Sequence, residues 1–380
     1  MRDVEKEDAI SLQFCELSHR QSSDRWLLKI ARPIPLTKKK AGALLALISL
    51  IVGIFPLAVA TPTPAARLKD GRPTLAELKS YIAKSVMIDK VPNLSKTIPP
   101  LQSMRSWDTH IDPLSTSCFL QNGIVTPATH PETSCVWGDP KGKQSIFLLG
   151  DSLSSMWLPA LNQLGKDLGW KIYYLGAPGC PPWPYPYSVR ENGSSGVTCN
   201  NLVRSEVKFI LRVHPTIVMP VGFSLDWGVG KYANVAQNVG QIQDWLKQIA
   251  PSHSRVVLLG PIPQYMMSPY YFGHFALLNP DKCLTQTNIP LHSCLEPPSD
   301  AMGAIVARSL KAIAQKDKIP FIDTTPLFCT KKICALFVKA PSGVHLVYYD
   351  YDHMNRYYSV WISRAFEILL QPTLRSISGD

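Results

Sequence analysis

The 380-residue chain contains no CxxC pair, no HExxH helix and no clustered histidines. These are the common local signatures of protein-held zinc, and in their absence metal is discounted and no cofactor is expected. There is no dense Lys/Arg stripe either. The formal net charge is +11, from 39 Lys/Arg against 28 Asp/Glu. Residues 1–40 hold nine Lys/Arg and six Asp/Glu, residues 41–60 hold none, and the remaining +8 is diluted over 320 residues. Nucleic-acid binders concentrate their positive charge, so no nucleic-acid partner is expected. The mild basic bias is compatible with an anionic glycan or a lipid surface, and ordinary solvated charge explains it more simply. No internal repeat or low-complexity tract is present. Only 18% of residues are charged while 46% are hydrophobic, which excludes a disordered chain, and 33 prolines point to rigid, turn-rich loops.

The charge-free stretch is Ala41–Ala60, AGALLALISLIVGIFPLAVA, with Lys38, Lys39 and Lys40 abutting its start. Twenty apolar residues are enough to span a bilayer as a helix, and the lysines mark the cytoplasmic side. The expected order is a cytoplasmic tail (1–40), a signal-anchor transmembrane helix (41–60) and everything beyond outside. A buried core helix is the weaker alternative, because the run has no polar face. A cleaved signal peptide is the other, since Ala58-Val59-Ala60 has the small-x-small pattern. Against it stand the long preceding segment and Pro62 just past the cut. Cysteine usage follows the same division. Cys15 precedes the run, while Cys118, Cys135, Cys180, Cys199, Cys283, Cys294, Cys329 and Cys334 follow it. An even number on one side is what an oxidising compartment gives, and the spacing favours four local bridges: 118–135, 180–199, 283–294 and 329–334.

Residues 61–140 read as a juxtamembrane extension with one short helix over 75–85. Residues 141–380 read as the catalytic domain. There, apolar runs expected as strands (145–149, 171–175, 216–221, 255–259, 320–323) alternate with helix-period segments. In 235–250, Val235, Val239, Ile242, Trp245, Leu246 and Ile249 share one helical face; 299–316 repeats the pattern, and a last helix is expected from about 355 to 370. Near-continuous apolar strands alternating with helices imply a central parallel sheet of about five strands covered on both faces, a three-layer α/β/α fold. Active sites of such sheets lie outside the carboxyl ends of the strands.

At the first strand's end stands Phe147-Leu148-Leu149-Gly150-Asp151-Ser152-Leu153, followed by the helical pattern SSMWLPALNQL. A serine at that junction projects from the sheet's carboxyl edge, and its backbone N–H at a helix start can stabilise an oxyanion. Serine needs a base. Near the chain's end, Asp350 and His353 are three apart, a spacing that lets the carboxylate fix the imidazole tautomer while the other ring nitrogen faces the serine. Alone, Gly-Asp-Ser is most simply a turn or helix cap, and Asp-x-x-His a solvated helix start; both at opposite ends of one α/β chain favour a triad of Ser152, Asp350 and His353. Asp352 is the rival orienting carboxylate, but it adjoins His353 and its side chain is expected to point elsewhere.

These blocks resemble the SGNH/GDSL hydrolase superfamily, and within it the extracytoplasmic SGNH domain linked to acyltransferase-3 membrane proteins of the O-antigen O-acetylase kind. Further carriers of the resemblance are KVPNLSKTIPPLQ, the Cys118/Cys135 pair, Ala177-Pro178-Gly179-Cys180-Pro181-Pro182, LLGPIPQ at 258–264, and Cys329/Cys334 followed by YYDYDHMN. Together they cover roughly residues 85–370. The resemblance implies the SGNH, flavodoxin-like, fold. It implies Ser152 as nucleophile, His353 as base and Asp350 as its partner, with the N–H groups of Ser152 and Gly179 as oxyanion donors. The family's GxND asparagine is missing, because strand TIVMPV runs into Gly222-Phe223-Ser224; Ser224 is a candidate third donor, with a plain turn serine as its simpler reading. The segment from Pro181 to Tyr187 offers Trp183 and Tyr185 as an aromatic platform for a sugar ring, and a rigid polyproline-type loop accounts for it as well.

The implied function is O-acyl transfer, acetyl in the first instance, onto a cell-envelope glycan through an acyl-serine. The alternatives are a deacetylase with the same triad, and a non-catalytic glycan-binding module or accessory subunit. Linked relatives carry further membrane helices, so a chain with one span implies a donor delivered by a separate polytopic acyltransferase. The implied location is a bacterial inner membrane, single-pass, with the C-terminal domain in the periplasm. Protease added to intact spheroplasts is expected to digest the domain and spare the first 40 residues; survival of the domain would reverse the orientation.

Overall fold

The computed structural model describes residues 70–101, 118, 131–184, 196–222, 235–264, 280–285, 290–301, 304–350 and 352–378. The expected tail and membrane helix (1–40 and 41–60) lie outside these residues. Among the described residues no helix is long and apolar enough to cross a membrane.

In chain order the elements are α1 (Leu75–Ser85), β1 (Thr97–Ile98), α2 (Pro131–Ser134), β2 (Val136–Gly138), β3 (Ser145–Gly150), α3 (Ser152–Leu168), β4 (Lys171–Gly176), α4 (Gly196–Val213), β5 (Ile217–Val221), α5 (Val235–Ile249), β6 (Arg255–Val256), β7 (Leu258–Leu259), α6 (Pro280–Thr285), α7 (Pro298–Ala301), α8 (Ala304–Asp317), β8 (Phe321–Ile322), β9 (Phe337–Ala340), β10 (Gly343–Leu346), α9 (Arg356–Trp361) and α10 (Ser363–Ser378).

The central sheet runs β2-β4-β3-β5-β6. β4, β3, β5 and β6 are mutually parallel, and β2 is an antiparallel edge on β4, so the sheet is mixed where an all-parallel one was expected. The run 255–259, expected as one strand, divides into β6 and β7 because its partners change. Val257 N–H donates to Val218 O at 3.0 Å on the β5 side, whereas Leu258 N–H donates to Pro320 O at 2.9 Å on the β8 side. β7 and β8 pair in parallel. All six residues of β3 are buried, which requires cover on both faces. One helical group packs α3 with α9 and α10, and the other packs α5 with α4 and α8. The arrangement is a central sheet with helices on both faces, as the alternation of strands and helices led one to expect.

The last expected helix is divided into α9 and α10, which meet at Ile362, while α7 and α8 cover the 299–316 segment on either side of residues 302 and 303, which lie outside the described residues. α1 occupies its expected span, because Thr74 caps it and Glu77 reaches back in a capping box while Leu78 and Ile82 fill one face. The sequence reading missed α4, although Cys199, Leu202, Val203, Glu206, Val207 and Ile210, all buried, recur at helical spacing. It also missed β1, β9 and β10, which form a second sheet in the order β1-β10-β9.

That second sheet corrects the expected boundary between 140 and 141. β1 pairs in parallel with β10. Leu78 and Ile82 are fully buried in the same core as β3. Ser85 Oγ accepts Lys339 N–H at 2.8 Å, Trp361 Nε1–H donates to Gly71 O at 3.0 Å, and Arg72 Nη1 donates to Asp167 Oδ2 at 2.7 Å and Ser363 Oγ at 3.0 Å. Residues 70–101 therefore pack as part of the domain, with Leu78 and Ile82 in its core. Four disulfides join Cys118–Cys135, Cys180–Cys199, Cys283–Cys294 and Cys329–Cys334.

Leu78→Ala tests this integration. It is expected to lower the stability of the whole domain by about 3 kcal/mol, as a fully buried leucine does, in a single denaturant transition; an unchanged midpoint would make α1 an appendage.

Candidate active site

The turn from β3 into α3 is built by the absence of a side chain. Gly150 has φ +135°, and a Cβ there would lie 1.7 Å from Val221 O. Asp151 then caps α3: its Oδ1 accepts Leu153 N–H at 2.9 Å. This cap engages Leu153 and not Ser152, whose N–H is left at the positive end of a 17-residue helix. Ser154 Oγ donates to Asp151 O at 2.6 Å and Ser155 Oγ to Ser152 O at 2.6 Å, tightening the first turn. Ser152 itself is partly exposed, in contrast to buried Asp151.

The loop after β4 lies against this junction. Ala177 N–H donates to Gly150 O at 3.1 Å, and Cys180 N–H returns to Ala177 O at 3.2 Å, closing a turn with Pro178 and Gly179 at its centre. Gly179 has φ +64°, the conformation that a Pro-Gly turn of this kind demands. A Cβ there would meet nothing within 4 Å, so glycine serves the backbone angle and not the space. Gly222, after β5, is glycine for the opposite reason: a Cβ would lie 2.5 Å from Pro182 Cδ and 3.5 Å from Asp151 Oδ2. The carboxyl ends of β3, β4 and β5 thus converge around Asp151 and Ser152.

Residues 347–350 and 352–355 close on one another beside α3. Asn355 N–H donates to Val347 O and Tyr349 N–H to His353 O, both at 2.8 Å. Asp350 Oδ1 accepts the N–H groups of Asp352 at 3.1 Å and His353 at 2.8 Å, an Asx-type closure. The same carboxylate has both oxygens 2.9 Å from His353 Nδ1. A carboxylate only accepts, so Nδ1 carries the proton and the lone pair of the neutral ring is on Nε2. Burial would push the Asp350 carboxyl up, but the His353 charge and these hydrogen bonds hold it well below the usual range.

Asp352 corrects an expectation. Its side chain does not point elsewhere: Oδ1 lies 2.7 Å from His353 Nδ1. Burial pushes its carboxyl up, with Asp350 adding to the rise against the pull of His353. Asp350 and Asp352, two residues apart, face one nitrogen because the Asp350 carboxylate also holds the N–H groups of Asp352 and His353. Asp350, Asp352 and His353 are also the one grouping of possible metal-ligand atoms among the described residues, and those atoms are engaged with one another.

The loop and the helix are locked together. Met354 N–H, adjacent to His353, lies 2.7 Å from the sulfur of Met156, one turn beyond Ser152. Pro159 removes a backbone donor from α3, and the hydroxyl of Ser359 enters the opened helix: it donates to Met156 O at 2.6 Å and accepts Ala160 N–H at 3.2 Å. The periodicity of α3 gave no sign of this insertion.

Trp183 is a second correction. Expected as part of a sugar platform, it is 1% exposed and packs in the main core, so its ring offers no open face. Tyr185 and Ser224 lie outside the described residues.

The family model for the SGNH domain (fused to AT3 domains) matches residues 117–367. No curated protein matches the chain. Among solved structures it is similar to the periplasmic domain of a Salmonella ser. Paratyphi A lipopolysaccharide acetyltransferase, at 16% identity and TM-score 0.47, covering 68% of this chain and 91% of that one. It is similar to a GDSL-like lipase from Bacteroides thetaiotaomicron, at 14% identity and TM-score 0.33, covering 60% and 89%. A carbohydrate acetylesterase family member from Sinorhizobium meliloti matches at 12% identity and TM-score 0.36, covering 62% and 100%.

Ser359→Ala leaves a buried N–H and C=O without the bridging hydroxyl. The expected loss is about 1–3 kcal/mol of stability, read as a lowered melting temperature; no change would mean that the α3 rung closes by itself.

Proposed function

The chain belongs to the family of SGNH domains found fused to AT3 domains, and on that premise we propose that it is an extracytoplasmic serine O-acyltransferase acting on a cell-envelope glycan. The observation that carries this reading is the Asp350–His353 pair at 2.9 Å, on a loop bonded to the helix that Ser152 opens.

Ser152 Oγ attacks the acyl carbonyl carbon of a donor ester, and His353 Nε2 takes its proton. The N–H groups of Ser152 and Gly179 stabilise the oxyanion. Collapse breaks the bond to the donor oxygen, which leaves with the proton from the imidazolium, and the acyl group stays on Ser152. A glycan hydroxyl next gives its proton to Nε2 and attacks the acyl carbon. Ser152 Oγ leaves and recovers that proton. Throughout, Asp350 holds the Nδ1–H tautomer and balances the imidazolium charge. The domain sits outside the membrane that Ala41–Ala60 spans, and a separate polytopic acyltransferase supplies the acetyl donor.

Hydrolysis is the second reading, because water can replace the glycan hydroxyl at the same step. The burial of Trp183 favours weighing it, since transfer needs a surface that positions the acceptor, and this ring does not supply one. A non-catalytic glycan-binding module is the third, and the intact Asp350–His353 pair speaks against it.

A fluorophosphonate should label the full-length protein at Ser152, and Ser152→Ala should abolish the label. His353→Ala is expected to lower ester turnover by about a thousandfold or more. Normal labelling of Ser152→Ala would sink the reading. With an acetyl ester and envelope oligosaccharides, a transferase yields acetylated glycan by mass spectrometry. Acetate released at one rate with or without glycan, with pre-acetylated glycan stripped, identifies a deacetylase.

A further inference from the structure

His353 Nδ1 faces two carboxylates. Asp350 offers both oxygens at 2.9 Å, and Asp352 places Oδ1 at 2.7 Å. One carboxylate suffices to fix a tautomer, so the second needs its own account. Asp352 is 4% exposed, and its Oδ1 makes no hydrogen bond. Two carboxylates this close, one buried and one half-buried, repel each other unless a proton is shared between them or a cation lies beside both, and an imidazolium at His353 is such a cation. The backbone enforces the meeting, since Asp352 N–H donates to Asp350 Oδ1 at 3.1 Å and His353 N–H to the same oxygen at 2.8 Å.

We propose that Asp352 is a positioning residue of the base, which together with Asp350 stabilises the His353 imidazolium and thereby sets the pH at which His353 becomes free to accept a proton. The inference rests on the reading of Ser152 and His353 given above. Burial works against a charged imidazole, yet the pull of Asp352, then of Asp350, outweighs it and raises His353 well above the ordinary histidine range. The two carboxyls are not equivalent: Asp350 is held low, while Asp352 is pushed up and titrates first as pH falls. Other ionisable groups near the loop are turned to other partners. On α3, Asp151 accepts Leu153 N–H. On α9, the Arg356 guanidinium lies over the Tyr357 ring at 5.5 Å. Tyr349 stays neutral, raised by burial and by Asp350.

The sign follows. A general base works only when neutral, so activity is gained as pH rises through the His353 pKa. Removing the Asp352 charge lowers that pKa and moves the acid limb to lower pH. The experiment uses the full-length protein. The pH dependence of fluorophosphonate labelling and of kcat/KM for a chromogenic acetyl ester is measured for the wild type, Asp352→Asn, Asp352→Glu and Asp350→Asn. The His353 ring is titrated in parallel by NMR, assigned with His353→Gln. Asp352→Asn is expected to shift the limb and the NMR midpoint down by about one pH unit or more while keeping the high-pH plateau within about tenfold. Asp352→Glu should restore the wild-type midpoint, and Asp350→Asn should lower the plateau by about a thousandfold. An unchanged NMR midpoint in Asp352→Asn, or in Asp352→Ser if the first variant does not fold, overturns the proposal. If the wild type takes no label at any pH, the catalytic reading of Ser152 fails instead, and the NMR titration still decides the role of Asp352.

Discussion

The approach of β5 to the end of β3, where Val221 O occupies the space a side chain at position 150 would need, governs how the rest of the site is assembled. Only glycine adopts φ +135° without strain, and only glycine admits the carbonyl. The chain can then reverse within two residues, so that Asp151 points inward as a cap and Ser152 opens the helix. The same closeness recurs on the neighbouring strands. A Cβ on Gly176 would lie 2.6 Å from Gly150 O, and Gly222 lies under Pro182. Three strand ends without side chains let three backbone segments crowd around one serine, which is how backbone N–H groups come to line a site that side chains would otherwise fill.

A serine on a rigid elbow is useful only if a base is held to it, and the proposed base, His353, stands about 200 residues away in sequence. The structure makes this link through a defect in α3. Pro159 cannot donate, and the next rung opens to admit the Ser359 hydroxyl. The helix that follows His353 is thereby stitched into the helix that follows Ser152. A proline in mid-helix is destabilising by itself, but here the lost rung is exchanged for a tertiary bond that sets the spacing of the two segments. Met354 N–H against the Met156 sulfur repeats the link one residue from the imidazole.

How much of this was legible follows from range. α1 was readable because Thr74, Glu77, Leu78 and Ile82 carry its cap and its buried face within nine residues. β3, β4 and β5 were readable because strands buried on both faces are apolar throughout. Ser152, Asp350 and His353 stood out as candidates because each lies in a short local pattern, and of these the structure pairs Asp350 with His353. What was not legible depends on contacts between distant segments. β1 has two residues, and only its partner β10, about 245 residues on, makes it a strand. The misplaced domain boundary is the same failure, since nothing within 61–140 announces that Leu78 packs in the core of β3. Trp183 misled for a related reason: an aromatic among prolines reads alike whether the loop lies on the surface or is drawn under it. Asp352 misled because adjacent side chains usually diverge, and here the Asp350 closure bends the chain until they do not.

The cysteines tie the chemistry to a compartment. Cys180 immediately follows Gly179 and is bridged to Cys199 in the first turn of α4. The turn that presents the Gly179 N–H is held on one side by Ala177 N–H on Gly150 O and on the other by this bridge. Cys118 and Cys135, bridged to each other, brace the strand that feeds the turn, because Gly176 N–H donates to Cys118 O at 3.1 Å and Tyr174 N–H to Cys135 O at 3.2 Å. In a reducing compartment both braces would open, and the turn that carries Gly179 would lose an anchor. A site with such bridges is suited to an oxidising space, the side expected for the domain from Lys38, Lys39 and Lys40 by an unrelated rule. Bridge chemistry and the charge flanking the apolar run at 41–60 are thus two independent arguments for the extracytoplasmic placement proposed above.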